Sequence, residues 1–167
     1  MGELYRIAAE QDAPRLQQII YGAYEQIREL RLSWPAAHAD EELIRTNIRE
    51  HECYVLELDG ELAATITLSK GEEAKAITEL PFLKWFAVAP ELQSRGVGSK
   101  LLSWVEQEVL ARRIGAEAVT LATAERHPWL LAMYERKGYE RYRAIDFGNG
   151  DGTMHLLRKR LQPQLQE

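Results

Sequence analysis

The sequence predicts a mixed α/β fold, in one domain that spans residues 1–167. Two apolar runs meet at Asp59-Gly60, a dipeptide typical of the two-residue turn of a β-hairpin. Residues 83–110 have the pattern of a buried strand, a loop with two glycines and a long amphipathic helix. A further strand, a helix and a last pair of strands follow. A chain of 167 residues is long enough to bury one sizeable core.

The N-terminal third is predicted to hold one short strand, residues 4–8, and two helices. Asp12 is the predicted cap of the first helix, with Pro14 in its first turn, and Ser33-Trp34-Pro35 ends it. The core-facing residues of this helix are Leu16, Ile19, Ile20, Ala23, Tyr24 and Ile27. The second helix covers residues 40–50, with Leu43, Ile44 and Ile48 on one side.

The middle of the chain is predicted to form the hairpin, a connection and the central strand. The hydrophilic residues 71–75 are the exposed connection. Residues 76–81 either open the central strand or form an arm before it. In that strand Phe82, Phe86 and Val88 alternate with Leu83, Trp85 and Ala87, so both faces are apolar, as burial on both sides requires.

The helix after the central strand carries one core-facing stripe. Its members recur every fourth residue, with Leu102 beside them: Val97, Leu101, Val105 and Val109. Residues 118–123 are then the next parallel strand, residues 139–147 and 153–160 form the last pair, and residues 161–167 are a frayed tail.

Composition and charge limit the possible functions. The formal net charge is −5 without a basic cluster, which disfavours nucleic acid and acidic membranes as partners. No apolar run is long enough to span a bilayer, and the N-terminus lacks a signal-peptide pattern. The single cysteine, Cys53, cannot form an internal disulfide, so we predict a cytoplasmic protein in which Cys53 is a small buried hydrophobe. The four histidines, His38, His51, His127 and His155, are scattered, which predicts no metal site.

The loop at residues 93–98 has features of an anion site. Gly96 and Gly98 lack a Cβ, free backbone N–H groups meet the start of a helix, and Arg95 adds positive charge. The alternative is a tight strand-to-helix connection without a ligand. A P-loop would need Lys where Ser99 stands, and a Rossmann fingerprint would need glycine where Leu101 stands.

The spacing Gln93-x-x-Gly96-x-Gly98, directly after a strand, resembles the acyl-CoA-binding motif of the GNAT N-acetyltransferase superfamily, Q/R-x-x-G-x-G/A. A second GNAT signature follows in the family's order within residues 127–141: Ala132, Tyr134, Gly138 and Tyr139. The resemblance implies the GNAT fold, a mostly antiparallel central sheet flanked by helices. It also implies that the central strand and the strand at residues 118–123 splay apart.

The same resemblance implies acetyl-CoA as cosubstrate. The pyrophosphate would bind to the loop residues Gln93, Ser94, Arg95, Gly96, Val97, Gly98 and Ser99. The pantetheine arm would pair with the backbone of Phe86, Ala87 and Val88. His127 either contacts that arm or caps the helix that follows it, and Lys137 either favours the helix dipole or approaches the phosphates.

The implied reaction is direct attack of a neutral amine on the thioester. Tyr134 is the candidate acid beside the sulfur, or alternatively a packed aromatic, and a backbone N–H near Val88 is the oxyanion donor. Glu79 is the candidate base, or else an exposed charge, with His127 as a second option. The acceptor pocket would include Trp34, His38 and Lys84. Their alternatives are a tryptophan at the core edge, a solvated histidine, and a lysine that snorkels or pairs with an acid.

We therefore predict an N-acetyltransferase that moves acetyl from acetyl-CoA to a primary amine of a small metabolite or a peptide. Two alternatives remain at this stage: a non-catalytic acyl-CoA-binding sensor, and a partner-binding domain without cofactor. GNAT proteins often form homodimers, which makes Trp104, beside the main stripe of its helix, a candidate for an exposed dimer contact.

Overall fold

The computed structural model describes residues 2–161, with only the backbone of Glu73, so most of the predicted tail lies outside the described residues. The strands are β1 Glu3–Ile7, β2 Glu52–Leu58, β3 Glu61–Leu68, β4 Leu83–Val88, β5 Ala118–Ala124, β6 Glu140–Asp146 and β7 Thr153–Arg160. The helices are α1 Ala13–Ala23, α2 Glu25–Glu29, α3 Glu41–Glu50, α4 Glu72–Ile77, α5 Val97–Trp104 and α6 Leu130–Arg136.

The strands form two antiparallel sheets, in the orders β1-β2-β3-β4 and β5-β7-β6. An isolated parallel bridge between Phe82 and Thr120 joins them, at the start of β4. From that bridge onward β4 and β5 diverge toward their C-terminal ends. The predicted mostly antiparallel sheet, splayed between two parallel strands, is confirmed.

The predicted hairpin is also present. Asp59 and Gly60 have φ angles of 52° and 85°, and a two-residue turn needs this left-handed backbone at both positions to match the twist of its strands. β2 and β3 pair on either side of the turn, and their central residues are buried.

The simple alternation predicted for β4 is wrong because the strand contains a bulge. Trp85 has a φ of 55°, and the pairing of β4 with β3 shifts register beside it. As a result Leu83 lies on the same face as Phe86 and Val88, which pack toward α5. Trp85 and Ala87 face the other side, toward α1 and α3.

The first predicted helix is interrupted and differently capped. It breaks at Tyr24, where α1 gives way to α2, instead of continuing to residue 33. Asp12 precedes α1, but its carboxylate accepts from the Ala9 N–H at 2.8 Å and from the Arg6 guanidinium. This guanidinium also lowers the pKa of Asp12. After α2 the backbone turns at Arg31, which has a φ of 58°, shortly before Trp34.

The second helix, α3, begins after Asp40, which caps it instead of lying inside it as predicted. The Asp40 carboxylate accepts from the Leu43 N–H at 2.8 Å. Ile44 is buried, but the Leu43 side chain is exposed, so the predicted apolar face is too wide. The predicted exposed connection at residues 71–75 instead contains most of α4, and the residues after α4 form the arm that leads to β4.

The helix after β4 continues beyond α5 in π-type geometry over Val105–Ile114 and ends at Gly115, with a φ of 75°. Its predicted stripe is buried. Trp104 stacks on Tyr5, with ring centroids 5.1 Å apart, and packs edge-on against Tyr54 at 5.7 Å. Trp104 is therefore half-buried rather than exposed, and both its contact with a second copy and the dimer itself remain predictions.

Two apolar clusters fill the space on the two faces of the β1–β4 sheet. Cys53 belongs to the cluster on the α1 and α3 side, is buried as predicted, and has a raised thiol pKa because of that burial. No helix within residues 2–161 is long and apolar enough to cross a membrane.

Candidate functional site

A cavity of about 590 Å³ opens where β4 and β5 separate. Its walls come from both strands, the loop before α5, the α1–α2 junction and α6. Clefts where strands diverge leave backbone groups without a sheet partner, so such a cavity offers hydrogen bonds as well as apolar surface.

Val88 shows how β4 supplies such groups. Ala89 lies opposite Ala63 in the register and donates its N–H to the Ala63 carbonyl at 2.8 Å. In an antiparallel ladder the neighbouring residue then points its N–H and C=O the other way. Val88 therefore directs both groups away from β3, toward the gap, and its carbonyl accepts from the Gln93 side chain at 3.3 Å.

The loop before α5 lines the cavity with six of its seven predicted residues: Gln93, Ser94, Gly96, Val97, Gly98 and Ser99. Arg95 is exposed and lies outside the lining. Ser94 and Gly96 have φ angles of 68° and 76°, so the backbone turns sharply just before the helix begins. The Gln93 side chain holds β4 rather than facing a phosphate.

The two loop glycines are required for different reasons. A Cβ on Gly98 would lie 2.9 Å from Val88 Cγ2 and 3.0 Å from Phe86 Cζ, so this glycine lets α5 pack directly on β4. A Cβ on Gly96 would meet no atom within 4 Å and would point into open space. Gly96 is therefore the glycine at which a ligand could approach the backbone.

Positive charge lines the cavity. Lys84, Arg136 and Lys137 belong to its walls, and the described lining residues include no Asp or Glu. Lys137 Nζ donates to Ser99 Oγ, which brings this cation beside the start of α5. Lys84 lies at the other end of the cavity, with Nζ 3.3 Å from His51 Nε2 and 5.2 Å from the centroid of the Trp85 ring.

Tyr134 projects from α6 into the cavity wall. It is buried, which raises the pKa of its hydroxyl, and within residues 2–161 no group hydrogen-bonds that hydroxyl. Tyr24, at the α1–α2 junction, also lines the cavity, and burial together with the neighbouring Tyr134 raises its pKa. From the sequence Tyr24 is predicted only as a core residue of the first helix, since no local signal marks the break at this position.

His127 acts as a helix cap. Its Nδ1 accepts from the backbone N–H groups of Trp129 and Leu130, both at 3.3 Å, so the capping alternative describes its contacts. It is buried against the cavity, and burial lowers its pKa. With Nδ1 as acceptor, the neutral ring carries its proton on Nε2.

Trp34 lines the cavity, and its ring centroid lies 6.4 Å from that of the Tyr24 ring. Its position is fixed through Ser33, whose N–H and hydroxyl both donate to the buried Asp151 carboxylate at 2.8 Å. Two buried side-chain atoms of the lining, Trp34 Nε1 and Thr123 Oγ1, have no hydrogen-bond partner in the described part of the chain.

Besides Arg95, two more predicted site residues lie outside the lining of this cavity. His38 is exposed and lies outside the lining, so the solvated alternative matches its position. Glu79 is likewise exposed and outside the lining, which removes the geometric basis for its role as the base. Across the described residues, no group of His, Cys, Asp and Glu could hold a metal ion.

Comparison with known proteins decides the family. Residues 17–139 match the sequence model of the acetyltransferase (GNAT) family. The chain belongs to this family. Over 157 residues it is 44% identical to S-(2-succino)cysteine N-acetyltransferase of Bacillus subtilis (strain 168), which covers 93% of this chain and 94% of the relative. It is 39% identical to S-alkylcysteine N-acetyltransferase of the same organism, over 98% of this chain and 94% of that protein.

Solved GNAT structures share the fold. The PaiA N-acetyltransferase of Thermoplasma acidophilum, solved in complex with coenzyme A, superposes with a TM-score of 0.71 at 17% identity, covering 96% of this chain and 99% of that chain. The GNAT resemblance drawn from the two motifs is confirmed. This GNAT chain is an N-acetyltransferase, and the comparisons support the enzyme rather than the alternative of a non-catalytic sensor.

Proposed function

We propose that this GNAT enzyme transfers acetyl from acetyl-CoA to the α-amine of an S-substituted cysteine. One observation carries the proposal: the Gly96 loop, Tyr134 and Trp34 all line a single cavity. A donor entering at the loop and an acceptor entering at Trp34 would meet beside Tyr134. The two relatives named as acting on cysteine derivatives support the choice of acceptor.

The donor end suits a phosphate-bearing cosubstrate. Backbone N–H groups of residues 94–99 and the start of α5 favour an anion, and Arg136 and Lys137 add charge beside them. Gly96 leaves space for the pyrophosphate. The pantetheine arm would lie along the Val88 edge of β4, where the strand has no neighbour on the gap side.

The acceptor end suits a small anion with an amine. Lys84 supplies positive charge, Trp34 and Trp129 supply apolar surface, and the cavity is sized for a metabolite. An S-substituted cysteine carries at least one carboxylate, which matches a lining with cations and without described acids. It also carries an apolar or acidic group on sulfur, for which the tryptophans and Lys84 are suitable neighbours.

The chemistry follows from the same atoms. The neutral amine attacks the thioester carbon, an N–C bond forms, and the Val88 N–H stabilises the oxyanion. The C–S bond then breaks, and the Tyr134 hydroxyl hydrogen-bonds the leaving thiolate. Because burial raises the Tyr134 pKa while a thiol titrates near 8.5, complete proton transfer from Tyr134 is unfavourable. The amine loses one proton in this reaction, and the leaving thiolate takes up one proton to become the free thiol.

No side chain is assigned as general base. Glu79 is too exposed, and the His127 acceptor atom is occupied by the helix cap. The α-amine of an amino acid is less basic than the lysine side chain, whose amine titrates near 10.4, so it loses its proton more readily. The mechanism therefore favours α-amines over lysine as acceptors.

We further propose that residues 1–167 act as one domain in the cytoplasm on a small-molecule acceptor, without a nucleic-acid or membrane partner. Cys53 is a free, buried thiol, and unpaired cysteines are typical of proteins in the reducing cytoplasm, which supports this location.

Thiol release tests the proposed function. The protein is mixed with acetyl-CoA and S-methylcysteine, S-(2-succino)cysteine or Nα-acetyllysine, and free coenzyme A is followed over time. We expect the cysteine derivatives to accelerate thiol release and Nα-acetyllysine to do so at least tenfold less. Thiol release no faster than thioester hydrolysis with every S-substituted cysteine would reject the proposal.

A further inference from the structure

Trp34 contains a hydrogen-bond donor that the described protein leaves without an acceptor. The indole N–H donates and cannot accept, so whatever satisfies it must offer an oxygen or nitrogen lone pair. A buried donor left without a partner destabilises the folded state, so a ligand oxygen at this position would relieve that cost. Of the other tryptophans, Trp129 also lines the cavity, but its Nε1 already donates to Gln26 Oε1 at 3.1 Å.

The position of Trp34 relates it to the reacting atoms. Its ring packs edge-on against Tyr24, and both residues line the same cavity as Tyr134. Trp34 thus shares a cavity wall with the predicted site of bond formation, on the side proposed for the acceptor. The Ser33–Asp151 hydrogen bonds hold its backbone there, while no hydrogen bond holds its ring edge. A small turn of the ring toward the cavity therefore breaks no hydrogen bond.

We propose that the Trp34 indole N–H donates to the α-carboxylate of the acceptor. This inference rests on the proposed function, because it requires an amino-acid acceptor. The α-carboxylate is joined to the same carbon as the attacking amine, so a donor that shares a cavity wall with Tyr134 is suitably placed. A charged oxygen is also the acceptor for which such a bond is strongest. This hydrogen bond would hold the acceptor so that its amine points toward the thioester.

The hydrogen bond would also act on the amine. A free carboxylate stabilises the adjacent ammonium, which keeps the amine protonated and unreactive. Donation from Trp34 offsets part of that negative charge and so favours the neutral, attacking amine. Trp34 thereby becomes a specificity-determining residue that selects amino acids over simple amines.

The test compares acceptors with and without the carboxylate. Values of kcat/KM are measured for S-methylcysteine and for 2-(methylthio)ethylamine, which lacks only the carboxylate, with the wild type and with Trp34→Phe. We expect Trp34→Phe to lower kcat/KM for S-methylcysteine roughly ten- to a hundredfold, the range for a hydrogen bond to a charged group. For 2-(methylthio)ethylamine the change should be less than about threefold. Where that amine reacts too slowly, its inhibition constant against S-methylcysteine gives the same contrast.

Two further proteins separate this result from a change in packing. Replacing Trp34 with benzothienylalanine exchanges the N–H for sulfur and retains the ring shape, so it should reproduce the selective loss. Trp104→Phe alters the same residue type outside the cavity and should leave the ratio of the two acceptors unchanged. Equal losses for both acceptors would overturn the role of Trp34 and leave the proposed function intact. A wild type inactive on both S-methylcysteine and S-(2-succino)cysteine would overturn both.

Discussion

Two glycines with nearly the same backbone allow the acetyl-CoA site to be tested separately from backbone strain. Gly96 and Gly115 have φ angles of 76° and 75°, and a Cβ on either would meet no atom within 4 Å. Gly96 begins α5 and lines the cavity, whereas Gly115 ends the same helix and lies outside it. Gly96→Ala and Gly115→Ala thus introduce the same strain at two places, only one of which faces the proposed cosubstrate.

The expected magnitudes follow from this match. An alanine held in the left-handed region costs roughly 1–2 kcal/mol, so each variant should lose about 2–8 °C in Tm without ligand. Acetyl-CoA at 100 times its Kd should stabilise the wild type by about 2.7 kcal/mol, or roughly 5–10 °C. If the new Cβ weakens binding a hundredfold, the same concentration stabilises Gly96→Ala by only about 0.4 kcal/mol, near 1 °C.

Thermal unfolding with and without acetyl-CoA measures both quantities in one experiment. We expect equal losses of Tm in the unliganded variants and a ligand-induced rise that Gly115→Ala retains and Gly96→Ala loses. If Gly96→Ala kept the full rise, the cosubstrate would not approach the backbone at this loop. The assignment of the loop to the pyrophosphate would then be wrong, whatever the enzyme acetylates.

Three more changes test other parts of the site. Tyr134→Phe should lower kcat roughly ten- to a thousandfold in the thiol-release assay with little change in the acetyl-CoA-induced Tm rise, and an unchanged kcat would remove Tyr134 from the chemistry. His127 has a lowered pKa in the folded state, so the unfolded chain binds its proton first and wild-type stability should fall as the pH drops below about 6.5. In urea unfolding, His127→Asn, which retains a capping oxygen, should lose less stability than the wild type between pH 7.5 and 5.5. An identical loss would show that His127 does not titrate on unfolding. The buried Glu106 carboxylate accepts from the Tyr139 hydroxyl at 2.7 Å and from the Lys159 ammonium at 2.8 Å, so Glu106→Gln should lower the unfolding free energy by about 1–3 kcal/mol. A stability within about 0.5 kcal/mol of the wild type, the range of surface substitutions, would contradict a stabilising role for these contacts.

Local signals predicted the fold where a short stretch determines its own geometry. Asp59-Gly60 specifies the hairpin by its backbone preference, and the stripe of α5 is visible because one helix face repeats along the sequence. The run that forms α4 was interpreted as a connection because it is hydrophilic, although Glu, Ala and Lys all favour helices. The bulge at Trp85 had no local signal, since a bulky residue rarely has a positive φ.

The candidate site likewise combines residues that a local sequence signal predicted with residues that only the packing of distant elements brings together. The position of the Gly96 loop on the cavity wall was predictable because glycine spacing at a helix start is a local signal, which does not depend on distant residues. His38 was proposed from its segment and Glu79 as the nearest carboxylate upstream of β4, and neither criterion specifies which way a side chain points. Tyr24 and Thr123 were missed because each reaches the cavity only through the packing of α1, β5 and α6.

The bulge in β4 explains how one strand serves both ends of the cavity. Side chains on a strand alternate, so a shift by one residue moves every following side chain to the opposite face. With the extra residue at Trp85, Leu83, Phe86 and Val88 all pack toward α5, while Trp85 faces the α1 side near Lys84. Without the bulge, either Leu83 or the pair Phe86 and Val88 would point away from the α5 cluster. The bulge therefore lets β4 keep one apolar face against α5 while its first half contributes Lys84 to the cavity wall.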